Sequence, residues 1–320
     1  MAKPLKLVWI IGFLIALASI APVSAQPPVK AKQDDKKSTT GKYLRIKREN
    51  QQPVSLETAI VRFVPASGKS DLVVDLVAAV HVGDRSYYET LNLRFEDYDV
   101  VLYELVASPG IRIPKGGCKS DNPLAMIQQG MKVVFGFDSQ TELIDYTRDN
   151  FVHADLSFEQ MGQAIRERGD DGLTVFLSVA ADLIRQQNLQ EMKRRQAPPK
   201  AEEEIDVFSL LLDSNASVKL KRVLAEQFES MESLAGGLGG TLNTILVTDR
   251  NKAAMKVFQK ELTQGKKKIA IFYGAAHMPD FEKRLQEDFG MKRQSERWLT
   301  AWDLKAKKGS GLSELLKLLD

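Results

Sequence analysis

The first part of the chain that can fold alternates between strand-like and helix-like patterns. β-Branched and apolar residues dominate Leu56–Phe63 and Leu72–Val80, and the polar, glycine-containing stretch 66–70 between them predicts a β-hairpin. Apolar residues at three- and four-residue spacing follow Asp84, which predicts a helix with Asp84 as its N-cap. Tyr98–Val106 is the next strand-like run. The predicted order is therefore β-β-α-β.

The pattern becomes helical between about 121 and 242. Apolar residues recur there at intervals of three and four, and Ser157 or Asp155 can cap one of the helices. A charged, proline-bearing stretch and the glycine run Gly236–Gly240 interrupt this region. The glycine run lacks the lysine and the preceding strand of a phosphate-binding loop, so it predicts a hinge or turn. The predicted helical segments are 124–134, 157–168, 173–195, 207–212 and 218–234.

The last third returns to alternating elements. It predicts, in order, a helix from Thr248 or Asp249 to just before Gly265, a strand Ile269–Tyr273, a short helix ending near Leu285 and an edge strand Trp298–Leu304. Strands thus come from both ends of one domain, 43–304. We expect an α/β fold with a mixed central sheet built from N- and C-terminal strands, a helical insertion at about 121–242, and an amphipathic C-terminal tail at 305–320.

The N-terminus has the pattern of a secretory signal. Lys3 and Lys6 precede the apolar run Leu7–Ile20, and the small residues Val23–Ala25 favour cleavage after Ala25. We therefore expect an extracytoplasmic protein, periplasmic or secreted. The alternative is an uncleaved membrane anchor, which would be the protein's only contact with a membrane. The polar segment 26–42 has little to bury and predicts a disordered linker.

Charge and cysteine content argue against a nucleic-acid-binding protein and exclude a fold held by intramolecular disulfides. Removal of residues 1–25 leaves 43 basic against 42 acidic residues, which argues against a nucleic-acid partner, since such partners require clustered positive charge. Cys118 is the only cysteine, so no intramolecular disulfide can form. Its glycine- and lysine-rich surroundings predict an ordinary loop thiol.

The chain has three histidines, and two of them follow buried strands. His81 comes after the second predicted strand and His277 after the strand Ile269–Tyr273, while Glu104 lies in the strand-like run between them. Side chains at strand ends in α/β folds leave the packed sheet and form binding sites. Two imidazoles and a carboxylate can hold a divalent ion and leave coordination positions open for catalysis. Arg250, at a helix start, could bind a substrate carboxylate or stabilise an oxyanion.

Each histidine also has a structural interpretation. His81 and His277 could simply end their strands by hydrogen bonding. His153 precedes the predicted helix that begins near Ser157, so it could pack there, or it could be a further metal ligand with Asp155 hydrogen-bonded behind it. Both interpretations of His153 stay open from the sequence.

Four short motifs together resemble the TraB/PrgY/GumN/TIKI superfamily, of the erythromycin-esterase-like and ChaN-like clan. They are Ala78–His81, Glu104, the Asp249–Arg250 pair and Gly274–His277, in the superfamily's order and at plausible spacing. The resemblance implies an extracytoplasmic or membrane-associated metal-dependent hydrolase or protease. This chain departs from the pattern at Ala78, where the superfamily has glycine, and at Asp249, where glutamate often precedes the arginine. Neither change removes a candidate ligand.

The sequence therefore predicts an exported hydrolase acting on a peptide or on a small-molecule ester or amide. His81, His277 and Glu104 would hold a divalent ion (Mn, Co or Zn) or act as base, and Arg250 would meet the substrate. The alternative is a non-catalytic extracytoplasmic protein that sequesters a peptide or a haem or metal ligand in the same cleft.

Overall fold

The computed structural model describes residues 43–68, 70–108, 110–111, 113–117, 136–167, 218–219, 221–226, 228 and 243–305. Several predictions lie outside these residues: the N-terminal signal and linker, the Cys118 loop, the glycine run Gly236–Gly240, most of the helical insertion and the C-terminal tail from 306.

Strands and helices alternate through the described residues. The strands are β1 (Leu44–Glu49), β2 (Gln52–Pro65), β3 (Val73–Ala79), β4 (Val82–Gly83), β5 (Val100–Tyr103), β6 (Asp138–Ser139), β7 (Phe151–His153), β8 (Lys268–Gly274) and β9 (Met291–Asp303). The main helices are α1 (Arg85–Phe95), α2 (Gln140–Leu143), α3 (Phe158–Glu167), α4 (Asp249–Thr263) and α5 (Met278–Glu287). In this part of the chain, no helix combines the length and the apolar character needed to cross a membrane.

Seven strands form one mixed sheet. β3, β8, β5 and β7 lie side by side and run parallel, whereas β2 pairs antiparallel with β1, β3 and β9. β9 pairs along almost the whole of β2, and β4 pairs with β6 in a separate two-stranded sheet. The predicted α/β fold, with its mixed sheet drawn from both ends of the chain, is confirmed.

The sheet is covered on both faces, and its central strands β3, β8 and β5 are apolar or glycine at every position except Asp75 and Lys268. In β5, Val101 and Tyr103 pack into one cluster with α1, while Val100 and Leu102 pack into a second cluster with α4 and α5. Successive residues of a strand point to opposite faces, so an uninterrupted apolar run requires a layer on each side. Glu104 follows Leu102 by two residues, which aims it toward the face that α4 covers.

The structure confirms one predicted hairpin and changes the bounds of two predicted strands. The β2–β3 hairpin is confirmed. The strand predicted at Tyr98–Val106 is shorter, and the edge strand predicted at Trp298–Leu304 extends back to Met291. Most side chains of 292–297 are exposed, so this part of β9 carries no apolar alternation that a sequence pattern could detect.

The helix caps differ from the predictions at two of four places. Ser157 does form a capping box, since its Oγ accepts the Gln160 N–H (3.1 Å) while Gln160 Oε1 accepts the Ser157 N–H (2.8 Å). Gly265 ends α4 with φ +84°, as expected. Asp84 occupies the N-cap position of α1 but makes no capping bond, because its carboxylate binds Lys221 Nζ (3.3 Å) and the Asp303 N–H (2.6 Å) instead.

The proposed cap of α4 is wrong for a different reason. Neither Thr248 nor Asp249 caps the helix, because a π-helical turn, Thr244–Thr248, runs directly into it. Residue 248 therefore already has helical backbone angles, and the N–H of Asp249, the first residue of α4, donates to the Thr244 carbonyl of that turn.

Candidate active site

The site forms where the parallel strands β5 and β8 end beside each other. Glu104 directly follows β5, and its N–H continues the ladder by donating to the Phe272 carbonyl (3.2 Å). β8 ends at Gly274, and one 3₁₀ turn, Ala275–His277, brings His277 back over the strand ends. Both predicted site residues therefore lie at one sheet edge, the usual place for binding sites in such folds.

A glycine allows Glu104 to fit against β8. The Gly274 N–H donates to Glu104 Oε2 (2.7 Å), and a Cβ on residue 274 would lie 3.3 Å from that same oxygen. Gly274 has φ −53°, so the backbone alone does not demand glycine here. What favours glycine here is the close approach of the Glu104 carboxylate, which would have to shift by a few tenths of an ångström to admit a Cβ.

Helix α4 supplies the central cation of the site. Arg250 donates from Nε and Nη2 to the two carboxylate oxygens of Asp155 (3.0 and 2.6 Å), and Nη2 also donates to Glu104 Oε1 (2.6 Å). The side chains are only 9% (Arg250), 0% (Asp155) and 11% (Glu104) exposed. One guanidinium thus joins two carboxylates in a site almost closed to solvent.

These contacts keep both members of the Arg250–Glu104 pair ionised. Burial would raise the pKa of Glu104, but its electrostatic interactions with His277, Arg250 and His81 and the Gly274 hydrogen bond outweigh this effect, so that pKa lies well below 4.5. Burial likewise lowers the pKa of Arg250, whereas Glu104 and Asp155 raise it further, so the guanidinium stays charged.

His277 is buried beside this pair. Its Nε2 lies 3.5 Å from Glu104 Oε1 and 3.5 Å from Arg250 Nη1. Burial, assisted by Arg250, lowers the pKa of His277 to about 4 even though Glu104 opposes this shift. The ring is therefore neutral at pH 7, and Arg250 and the Gly274 N–H keep Glu104 ionised at that pH.

The other two histidines stand apart from the pair. His81 is exposed, two residues after β3, and its electrostatic interaction with the site contributes to lowering the pKa values of Glu104 and His277. His153 ends β7, where its Nε2 lies 2.6 Å from the Leu105 carbonyl and its ring contacts the edge of Tyr103. The structure thus brings Glu104, His277 and Arg250 into direct contact, places His81 within electrostatic range, and holds His153 against the neighbouring strand end.

Asp155 is the residue whose role the sequence did not reveal. The sequence predicts Asp155 only as a helix cap or as a partner of His153, whereas the structure pairs it with Arg250. The sequence carries no signal for this role, because no pattern predicts β7, the strand that ends two residues before Asp155 at the same sheet edge as Glu104.

Two of the three predicted metal ligands are close enough to share an ion. Atoms bound to one zinc ion lie about 2.0–2.1 Å from it, which the 3.5 Å between Glu104 Oε1 and His277 Nε2 permits. Within the described residues, no three side chains of His, Cys, Asp or Glu are grouped so that they could hold a metal ion. The fit is therefore to a two-residue core of Glu104 and His277, and the exposed His81 would have to join it from the surface.

Compared with known proteins, the chain matches no family model, no curated protein and no solved structure. The resemblance to the TraB/PrgY/GumN/TIKI superfamily accordingly stays a prediction.

Proposed function

We propose that this chain is a hydrolase that cleaves an amide or ester bond with the help of a divalent metal ion. The observation that carries the proposal is the buried contact between a carboxylate and a neutral imidazole, Glu104 and His277, at the ends of adjacent parallel strands. His277 Nε2 and Glu104 would hold the ion, with His81 as a third ligand brought in from the surface.

The protonation states favour metal binding over proton transfer. A general acid or base works best with a pKa near the working pH, but His277 has a pKa of about 4 and that of Glu104 is lower than 4.5. Metal ligands, in contrast, must be deprotonated, as both groups are at pH 7. With Glu104 and Asp155 anionic and Arg250 cationic, the buried cluster has one excess negative charge, which favours a further cation.

Arg250 is the group that we expect to meet the substrate. Its Nε and Nη2 are occupied by carboxylates, whereas Nη1 makes only long contacts, to the Leu246 carbonyl (3.4 Å) and to His277 Nε2 (3.5 Å). Nη1 could exchange these long contacts for a hydrogen bond to a substrate carbonyl oxygen, where it would stabilise negative charge. A divalent ion in such a site makes a bound water a better nucleophile at neutral pH.

The proposal is tested by metal content and turnover. Elemental analysis of the purified full chain should find a stoichiometric divalent metal, and His81→Ala, His277→Ala and Glu104→Gln should each reduce it while circular dichroism stays unchanged. His153→Gln is the matched control, because the His153 ring is hydrogen-bonded to the Leu105 carbonyl and not to the site. This variant should retain the metal. Hydrolysis of a peptide and ester panel should be lost with the metal. Metal content unchanged in all three variants refutes the site.

The alternative function, sequestration of a peptide or a haem or metal ligand, has a distinct outcome. The near-closure of the site, in which the three central side chains are 7–11% exposed, favours retention of a small ligand as much as it favours catalysis. Stoichiometric metal without turnover of any substrate in the panel supports this binder.

Export is also part of the proposal, and intact-mass measurement of the exported protein distinguishes cleavage after Ala25 from a retained anchor.

A further inference from the structure

Asn251, next to Arg250 in α4, is fully buried (0% exposed) and faces His277 rather than the carboxylates. Its Nδ2 donates to the His277 carbonyl (3.0 Å) and to Asp280 Oδ2 (2.9 Å), and its Oδ1 lies 2.7 Å from His277 Nδ1. One amide side chain therefore contacts both the backbone and the ring of the same histidine.

The partners of this amide determine which way it points. A carbonyl oxygen and a carboxylate oxygen only accept hydrogen bonds, so the NH₂ end of Asn251 must face the His277 carbonyl and Asp280. Asp280 is itself held by two hydrogen bonds from Arg284, at 2.6 and 3.1 Å, on the adjoining turn of α5. The oxygen end of Asn251 is therefore left to face the imidazole.

The orientation of the amide in turn determines the tautomer of the ring. An amide oxygen cannot donate, so the 2.7 Å contact forms only if His277 Nδ1 carries the proton. In a neutral ring the lone pair is then on Nε2, the nitrogen 3.5 Å from Glu104 Oε1. We propose that Asn251 is a positioning residue that fixes the His277 tautomer with its lone pair on Nε2, the nitrogen that lies 3.5 Å from both Glu104 Oε1 and Arg250 Nη1.

This role rests on the proposed function only for its effect on metal binding and turnover. Residues that hold the second nitrogen of a ligating histidine orient the ring, and their loss commonly reduces metal affinity or activity about 10–100-fold. The tautomer itself exists with or without catalysis, so it can be measured separately.

The direct test is ¹⁵N NMR of the histidine side chains in the full chain, before and after dialysis against a chelator. Only three histidines contribute signals, and His81→Gln and His153→Gln assign them. At pH 7 the His277 ring should show a protonated Nδ1 and an unprotonated Nε2. A proton on Nε2 in the metal-free wild-type protein overturns the proposal, whether or not any variant folds.

Two variants separate positioning from mere structure. Asn251→Ala should shift His277 toward the Nε2-protonated tautomer and lower kcat about 10–100-fold with little change in KM. Asn251→Asp keeps an acceptor opposite Nδ1 but places a carboxylate oxygen against the His277 carbonyl, so it should keep the Nδ1 proton while it lowers stability. An unchanged tautomer in Asn251→Ala contradicts the inference.

Asn150→Ala is the matched control. Asn150 also makes two Nδ2 hydrogen bonds, to the Phe95 and Tyr98 carbonyls (2.8 and 3.0 Å), away from the site. The Asn150→Ala variant should have a lower free energy of unfolding but unchanged ¹⁵N signals of the His277 ring. If no variant or wild-type preparation shows turnover or metal but His277 keeps its Nδ1 proton through Asn251, the hydrolase proposal fails and the positioning role stands.

Discussion

Removing the charge of Asp155 should destabilise the protein more than any exposed charge change. In Asp155→Asn the fully buried side chain keeps its shape but loses one of its two acceptor oxygens toward Arg250, and the new NH₂ group faces the guanidinium. Removing one partner of a buried ion pair costs about 3–5 kcal/mol. Glu104 keeps its bond to Arg250 Nη2, so we expect the lower end, about 3 kcal/mol.

A double-mutant cycle with Arg250→Met isolates the interaction. Arg250→Met removes the cation from two buried carboxylates, Asp155 and Glu104, and should cost about 5 kcal/mol. Once the arginine is absent, the negative charge of Asp155 no longer has its partner. The double variant should therefore be more stable than the sum of the single effects implies, by about 2 kcal/mol.

Urea unfolding followed by far-UV circular dichroism gives each free energy of unfolding. Glu96→Gln is the control, because Glu96 pairs with Arg148 at 3.1 Å but its side chain is 57% exposed, and such pairs contribute less than about 1 kcal/mol. If Asp155→Asn costs no more than this control and the cycle is additive, the buried pair does not form as described.

Three further perturbations have defined outcomes. The folded-state pKa of His277 (about 4) lies below its ordinary 6.5, so the unfolded chain binds this proton at a higher pH than the folded chain does. The contribution of His277 to the free energy of unfolding is therefore complete above pH 6.5 and is lost toward pH 4, by about 3 kcal/mol. Urea unfolding of His277→Gln at several pH values should show a weaker dependence of that free energy on pH. Gly274→Ala should displace the Glu104 carboxylate by a few tenths of an ångström and weaken metal binding about tenfold in calorimetry; unchanged affinity contradicts the close approach. Tyr98→Phe removes the 2.6 Å bond to the buried Asp75 and should cost about 1–3 kcal/mol in thermal unfolding, an effect that Asp75→Asn should reduce if the two groups are coupled.

Local pattern was sufficient for most of the sheet. β2, β3, β5 and β8 are dense in apolar residues because both faces of the sheet are covered, so their composition alone marks them as strands. β1 and the first half of β9 could not be found in this way. They lie at the sheet margin, where exposed polar side chains are tolerated and backbone pairing with β2 is what makes them strands.

The same distinction between local pattern and tertiary contact applies to the candidate site. Glu104 and His277 were found because each follows an apolar strand, and parallel strands end at one edge of a sheet. No sequence pattern indicated that His81 would be exposed, that Asp155 would bind Arg250, or that Asn251 would face a histidine ring.

Sequence alone thus determined which residues end the central strands, because alternation and apolar runs are properties of neighbours along the chain. Tertiary structure decided which of those residues meet. The Arg250–Glu104 and Arg250–Asp155 bonds join residues 146 and 95 positions apart, and they exist because α4 packs on one face of the sheet with its first turn over the ends of β5 and β8. Burial in that position then sets the charge of each group, since desolvation and the nearest ion act only after the chain has folded.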